Sequence, residues 1–311
     1  MADIKNNYLC LWGVVEEISK QSPFQKKAVL RYIESADERY FDFAEDLVKR
    51  MLKVIDRGEC YDYIAKTYLW YTKTIRIEEM YFAKEGRYRY SDYDEVYEKV
   101  YSRDDYMFDY VVGLGMTQIF WPNHWNIMKF FLDNFIPKGK DFRTGAEIGV
   151  GHGVFHSEFL RGCPDMSSKL IDVSPTSLDM TRRMIAATGL DPERAEPIQC
   201  DVQKYIPLED ESLDALLMGE LIEHIQDGES VMAAMAKKMK RTGYCYFSTA
   251  ANSPAEDHIL LFRSVGEVCD FIDRTGWKVV DEHLGTINNM SVKDAEKGGH
   301  NINYAAVLAV K

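Results

Sequence analysis

The sequence predicts an α/β protein in which a helical N-terminal region precedes a mostly parallel, doubly wound β-sheet. Up to about residue 140, apolar residues recur at intervals of three and four, which is the spacing of amphipathic helices. After Lys140, short apolar runs alternate with helix-like segments, as in a parallel sheet with crossover helices. We therefore predict a helical lid or substrate domain over residues 1–140 and a sheet domain over residues 141–311.

The helical region contains three stretches with this spacing, at residues 25–58, 94–115 and 123–136, and Gly58 is the predicted stop of the first. The region is also rich in aromatic side chains, including Tyr71, Tyr110 and Trp121. Most of them are expected to pack in the core. A few are expected to wall a pocket, where their rings can face a cation.

Seven apolar runs are predicted strands, at residues 145–150, 168–174, 195–202, 213–222, 244–250, 277–285 and 302–311. The first five alternate with predicted helices, at residues 156–163, 176–189, 228–243 and 265–276. Only a loop is predicted between the last two strands, too short for a packed crossover helix, so that pair is predicted to be antiparallel.

Composition restricts the class of protein. The chain is 46% apolar and 28% charged, which is typical of soluble globular proteins. Its net charge of −12 disfavours a nucleic-acid partner, because phosphate binding needs clustered Lys and Arg. Six cysteines without a CxxC pair indicate reduced thiols and a cytoplasmic location. No apolar run approaches the roughly 20 residues that span a bilayer, and no signal peptide is apparent. We expect a small-molecule partner and no membrane partner, and a homo-oligomer is compatible with the sequence.

A glycine-rich turn follows the first predicted strand, in the segment GAEIGVGHGVFH at residues 145–156. Glu147 precedes three alternating glycines, Gly149, Gly151 and Gly153. Such glycines indicate unusual backbone dihedrals or a ligand that comes very close. A strand, a glycine turn and a helix form a nucleotide-type cradle with free N–H groups at the helix N-terminus. His156, near the start of that helix, is predicted to contact local backbone or solvent.

Two more acidic residues end the next two predicted strands. Asp172 ends the second strand, where it is placed to accept hydrogen bonds from ribose hydroxyls. Asp201 ends the third and is followed by Val202, where an adenine amino group can be met. The acid followed by alternating glycines is not the GxGxxG spacing that binds a pyrophosphate.

These segments together resemble the class I S-adenosylmethionine-dependent methyltransferases. EIGVGHG, LIDVS, IQCDV and LDALLMGELIEHI follow the order and spacing of that family. The resemblance covers roughly residues 141–311 and implies a Rossmann-like sheet of seven strands with S-adenosylmethionine as cofactor. It implies the following cofactor-binding residues: Glu147, Gly149, Gly151 and Gly153 at the methionine and ribose end, Asp172 at the ribose, Asp201 and Val202 at the adenine, and also Glu220.

A second group of polar residues follows the fourth and fifth predicted strands. GELIEHIQD supplies Glu220, Glu223 and His224, and His258 follows the fifth strand. We expect His224, Glu220 and His258 to be catalytic or to orient the acceptor. The same four residues are similar to the divalent-metal site of small-RNA 2′-O-methyltransferases. A metal is therefore an open alternative that is not favoured, since related segments occur in quinone O-methyltransferases that need none.

The leading prediction is methyl transfer to a small-molecule acceptor enclosed under the helical lid. One alternative is a cyclase or lyase that uses S-adenosylmethionine itself as substrate and releases methylthioadenosine. A second is a metal-dependent RNA 2′-O-methyltransferase, and a third is a cofactor-binding sensor without turnover. The sequence does not distinguish which acceptor atom receives the methyl group.

Overall fold

The computed structural model describes residues 2–286 and 290–311, with side chains from residue 5 onward. The N-terminal region is helical, as predicted. Its α-helices are α1 Ala2–Asn7, α2 Leu9–Gln21, α3 Pro23–Glu34, α4 Glu38–Ile55, α5 Tyr61–Glu85, α6 Tyr93–Val96, α7 Asp104–Phe120 and α8 Pro122–Phe130. Two π-helical turns at Tyr97–Tyr101 and Phe131–Phe135 and a 3₁₀ segment at Ile136–Asp141 extend them.

Helix capping divides the first predicted stretch, residues 25–58, into two helices. The Asp37 carboxylate accepts a hydrogen bond from the backbone N–H of Tyr40, which begins α4 and stops α3 from continuing. Helix α4 ends at Ile55, before the predicted stop at Gly58, because Asp56 adopts the left-handed conformation at φ 53°.

The sheet has seven strands, as predicted. They are β1 Thr144–Ile148, β2 Ser167–Asp172, β3 Ala195–Gln199, β4 Leu213–Gly219, β5 Met239–Ala251, β6 Trp277–Thr286 and β7 Ile302–Val310. Their order is β3-β2-β1-β4-β5-β7-β6. The pairs among β1 to β5 are parallel, and β7 is antiparallel to both β5 and β6, so the predicted antiparallel final pair is confirmed. The strand order reverses between β1 and β4, and ligands bind at such a reversal.

Among the described residues, five α-helices accompany the strands: α9 Val154–Gly162, α10 Pro175–Ala187, α11 Gly228–Lys238, α12 Val265–Arg274 and α13 Val292–Gly298. Two predictions are wrong in detail. The helix predicted over residues 228–243 ends at Lys238, since pairing of Met239 with Leu213 begins β5 there. The last two strands are joined by α13, which Ser291 caps, and not by a loop alone.

The N-terminal helices and one face of the sheet share a single apolar core. The ring of Phe131 packs edge-on against Phe155 of α9 and Tyr246 of β5, at centroid distances of 5.1 and 4.8 Å. Arg50 of α4, 1% exposed, contacts Glu158 of α9 at 2.8 Å. The helical region is thus joined to the sheet by packing and by a buried ion pair. In the part of the chain that the structure describes, no helix is both long and apolar enough to cross a membrane.

Candidate active site

The glycines of the turn after β1 have different surroundings. All three have positive φ, 72° at Gly149, 47° at Gly151 and 71° at Gly153. A Cβ at Gly153 would lie 2.6 Å from the Cα of Thr181, whereas a Cβ at Gly151 would meet no atom within 4 Å. Gly151 therefore faces open space, where a ligand can approach the backbone. Gly153 is not part of the cavity wall; its missing side chain makes room for α10, and its predicted contact with the ligand stays a prediction.

The side chain of Glu147 is almost fully buried. It is 4% exposed, and its Oε2 lies 2.9 Å from Nδ1 of His156, whose Nε2 lies 2.8 Å from Ser168 Oγ. Burial raises the pKa of Glu147 well above its ordinary value and lowers that of His156 to about 3. The prediction that His156 contacts local backbone or solvent is wrong, since it is fully buried and orients Glu147 on the cavity wall.

Asp172 lies at the end of β2, as predicted, and lines the same cavity. Its Oδ2 accepts from the backbone N–H of Val150 and its Oδ1 from that of Ser174, both at 2.8 Å. Burial nevertheless raises its pKa to about 6. Asp201 and Val202 also line the cavity, beyond the end of β3.

A single cavity of about 1980 Å³ joins these strand ends to the helical region. Its wall includes Tyr71, Tyr101, Tyr110 and Trp121 from the helices. The prediction that a few aromatic residues wall a pocket is thus met by Tyr71, Tyr110 and Trp121. Ligand sites typically occupy about 300–1,000 Å³, so the space is large enough for more than one ligand molecule.

Glu220 and Glu223 stand directly after β4. Glu220 has a positive φ of 47°, a strained conformation for a residue with a side chain, and its N–H donates to Ser248 O at 2.9 Å. Burial raises its pKa to about 6. Glu223 is fully buried, its Oε2 accepts from Thr249 Oγ1 at 2.9 Å, and burial together with Glu220 raises its pKa well above the ordinary value.

His224 is held by two groups from distant parts of the chain. Its Nδ1 lies 3.0 Å from Tyr101 Oη and 3.1 Å from the backbone oxygen of Asp257. The Asp257 Oδ2 is 3.4 Å away from the same nitrogen. These partners suit a tautomer with the proton on Nδ1, an assignment made from the hydrogen-bond network. Nε2 is then free to accept a proton from a ligand.

His258 stands beside His224, with ring centroids 4.7 Å apart. Its Nδ1 donates to Ser253 O at 2.6 Å, and burial lowers its pKa to about 4, so it is neutral near pH 7. Donor atoms of Glu223, His224 and His258 all lie within 4.8 Å of one another. Glu220, the fourth predicted metal candidate, is not part of this group.

Tyr101 and Asp257 were not identified from the sequence. Asp257 immediately precedes His258, which is a predicted site residue. An acidic residue next to that histidine was a signal that could have identified Asp257. Tyr101 ends the π-helical turn Tyr97–Tyr101, and such turns are frequent at functional sites, but no apolar period in the sequence predicts one.

Fold and site together define a class of nucleotide-cofactor enzyme with an acid-lined cradle at the strand reversal. Residues 146–247 match a family model described as "Methyltransferase domain". A curated relative, the ubiquinone biosynthesis O-methyltransferase of Photorhabdus laumondii, is 23% identical over 182 residues, 52% of this chain and 72% of the relative. Residues 146–247 thus form a methyltransferase domain of the class I S-adenosylmethionine-dependent type, and S-adenosylmethionine is its cofactor.

Solved structures agree on the fold. Mitomycin 7-O-methyltransferase superposes with a TM-score of 0.53 over 86% of this chain and 75% of its own, at 11% identity. Phosphoethanolamine N-methyltransferase 2 of Haemonchus contortus, bound to S-adenosyl-L-methionine, superposes with a TM-score of 0.50 over 72% of this chain and 60% of its own, at 15% identity. At these identities the likeness concerns the fold alone.

Proposed function

We propose that this enzyme transfers the methyl group of S-adenosylmethionine to a small-molecule acceptor. In this proposal residues 1–140 form a lid over the acceptor, and residues 141–311 bind the cofactor. The observation that carries it is the continuous cavity of about 1980 Å³, whose wall joins helical-region tyrosines to the strand-end acids. The name of the curated relative, a ubiquinone biosynthesis O-methyltransferase, supports a small acceptor.

The residues present fit the cofactor. The open space at Gly151 and the carboxylates of Glu147, Asp172 and Asp201 on the cavity wall suit a ligand with a sulfonium, an ammonium and a ribose. We assign Gly149 and Gly151 to the methionine and ribose end, with Glu147 and Glu220 near the cationic groups. Asp172 would bind the ribose hydroxyls, and Asp201 with Val202 the adenine. When bound, the cofactor supplies an activated methyl group.

We propose that His224 is the general base for an acceptor that must lose a proton. Asp257 and Tyr101 hold Nδ1, which leaves Nε2 to take the proton. Glu220 and His258 line the same wall and would orient the acceptor. In this proposal the helices over the cavity exclude water from the reacting groups, and the enzyme contributes mainly proximity and alignment to the displacement.

The test is a transfer assay with S-adenosylmethionine labelled in its methyl group and a small-metabolite extract as acceptor source. S-adenosylhomocysteine and a labelled small molecule should form only when the extract is present. H224Q should lower turnover by about 10²–10⁴-fold while cofactor affinity stays unchanged. Methylthioadenosine formed without acceptor would favour the cyclase or lyase alternative, and label in RNA would favour the 2′-O-methyltransferase.

The group Glu223, His224 and His258 supports a metal-assisted variant as the second candidate. Metal bonds to nitrogen and oxygen are about 2.0–2.2 Å, so two ligands of one ion lie within about 4 Å of each other. The donor atoms of these three residues lie within 4.8 Å of one another, close enough that small side-chain movements would let them share one ion. Metal analysis of the purified protein and activity after EDTA treatment distinguish the two candidates.

A further inference from the structure

Asp257 is a buried carboxylate with one satisfied and one unsatisfied oxygen. It is 1% exposed and lines the cavity. Its Oδ2 accepts from Tyr110 Oη at 2.9 Å and from Tyr101 Oη at 3.2 Å. Its Oδ1 is buried and has no hydrogen-bond partner within residues 5–286 and 290–311. A buried oxygen left without a partner costs free energy, so a donor from a ligand is the expected partner.

Within residues 5–286 and 290–311, neither Lys nor Arg forms an ion pair with Asp257. Over the same described residues, its ion-pair partner is His224, whose Nδ1 approaches Oδ2 at 3.4 Å and not the unsatisfied Oδ1. A purely structural carboxylate at this depth is normally paired with Lys or Arg. The side chain is therefore arranged to meet a positive charge that the protein itself does not supply.

The wall around Asp257 has a strong excess of negative charge. Between Tyr93 and His258 the cavity-lining residues include five carboxylates and neither Lys nor Arg. These carboxylates are Glu147, Asp172, Asp201, Glu220 and Asp257. The Lys and Arg residues of the cavity lining lie outside this stretch of the chain, and all of them are exposed: Arg31, Lys73, Arg76 and Arg263. Even with Glu147 protonated and Asp201 paired with Lys204 at 3.2 Å, the three remaining carboxylates exceed the cofactor's net charge of +1.

Aromatic rings complete the surroundings of Asp257. The rings of Tyr71 and Tyr110 meet edge to face at 5.3 Å, and both side chains are buried. Burial and the nearby Asp257 carboxylate raise the pKa of both phenols, so they stay neutral, and Tyr110 donates its hydrogen bond to Asp257. Tyrosine faces attract organic cations most strongly in a desolvated setting.

We propose that the acceptor carries an amine in its ammonium form, which binds to Asp257 Oδ1 among Tyr71, Tyr101 and Tyr110. This cation subsite rests on the proposed function, because it defines the acceptor for the same cavity. Glu220 lies on the same wall and adds to the negative potential. The subsite selects cationic acceptors over neutral or anionic ones of the same size.

The test uses three probes that are similar in shape and differ in charge: benzylamine is cationic, benzyl alcohol is neutral and benzoate is anionic. Each is titrated calorimetrically into the full-length protein saturated with S-adenosylhomocysteine at pH 7.5. A hydrogen bond to a charged group discriminates by about tenfold or more. Benzylamine should therefore bind at least about tenfold tighter than benzyl alcohol, and benzoate should bind weakest.

D257N should bring benzylamine to within about threefold of benzyl alcohol. The matched control is D210N, because Asp210 is exposed, pairs with Lys238 and does not line the cavity. This control should keep the full preference for the amine. If D257N does not fold, the ranking of the three probes on the wild-type protein and on E220Q still tests the subsite.

The possible results separate this inference from the proposed function. Normal binding of S-adenosylhomocysteine with equal affinity for amine and alcohol, or with benzoate tightest, would overturn the subsite and leave methyl transfer standing. An amine preference that survives D257N would also overturn it. Failure to bind S-adenosylhomocysteine would contradict the proposed function itself. Binding of Mn²⁺ that depends on Asp257, without amine binding, would show that the cation is a metal and the inference wrong.

Discussion

Replacing Asp172 by Asn should separate cofactor binding from stability. Burial raises the Asp172 pKa from 3.8 to about 6, and at about 1.36 kcal/mol per pKa unit its charge costs the folded state about 3 kcal/mol near pH 7.5. D172N removes that cost. The NH₂ group of the new amide cannot accept a hydrogen bond, so one of the two backbone donors, Val150 N–H or Ser174 N–H, loses its acceptor. That loss costs about 1–3 kcal/mol.

These two effects oppose each other, so the free energy of unfolding at pH 7.5 should change by less than about 2 kcal/mol. The affinity of D172N for the cofactor should fall. Loss of a hydrogen bond to a charged acceptor costs about 1.5–3 kcal/mol, which is about 10- to 150-fold in affinity. We expect S-adenosylhomocysteine to bind D172N weaker by that factor in calorimetry at pH 7.5.

The pH dependence has a defined sign. Because the folded-state pKa of Asp172 is raised, its destabilising charge is present above about pH 6 and is relieved as the pH falls below that value. Wild type should therefore gain stability relative to D172N between pH 7.5 and 5, in urea denaturation. Over the same interval its affinity advantage should shrink.

The exposed Asp179, which pairs with Arg183 on α10, supplies the control. D179N should match wild type in both measurements. An affinity for D172N within threefold of wild type at pH 7.5, or an affinity ratio that does not change with pH, would refute the assignment of Asp172 to the ribose.

Three further predictions concern packing. G153A should lower the free energy of unfolding by more than about 2 kcal/mol in urea denaturation, since its Cβ would lie 2.6 Å from backbone. G151A should cost only about 1 kcal/mol for its positive φ, and equal losses would contradict the packing role. R50M should lose about 1–3 kcal/mol, because the buried Glu158 loses its partner at 2.8 Å and keeps only the more exposed Arg161 at 3.4 Å. R50M combined with E158Q should recover part of that loss, which a thermal melt will measure. Deletion of residues 1–100 should leave a chain without a cooperative unfolding transition, because these helices share a core with the sheet. A folded, active remnant would contradict this.

The glycine turn and the strand-end acids could be predicted because their signals are local. A glycine at positive φ stands within a few residues of the strand it follows, and an acid at a strand end is fixed to one edge of the sheet by the parallel topology. The same locality made Glu147, Gly151, Asp172 and Asp201 recognisable as one cavity edge before any contact was known.

The environment of His224 was decided by the tertiary structure. Tyr101 and Asp257 lie 123 and 33 residues from His224 in the chain, and no local period connects them. Likewise, the close approach of Thr181 on another helix explains why residue 153 has no side chain.

The sequence by itself determined the class of fold, the seven strands with their antiparallel last pair and the glycines and acids at one edge of the sheet, since each depends on the conformational preferences of neighbouring residues. The packing of distant elements decided which of the acids are paired, which histidine nitrogen is free and which carboxylate oxygen still lacks a partner. Those properties depend on burial and on contacts across the chain, and burial is set only when the helical region closes on the sheet.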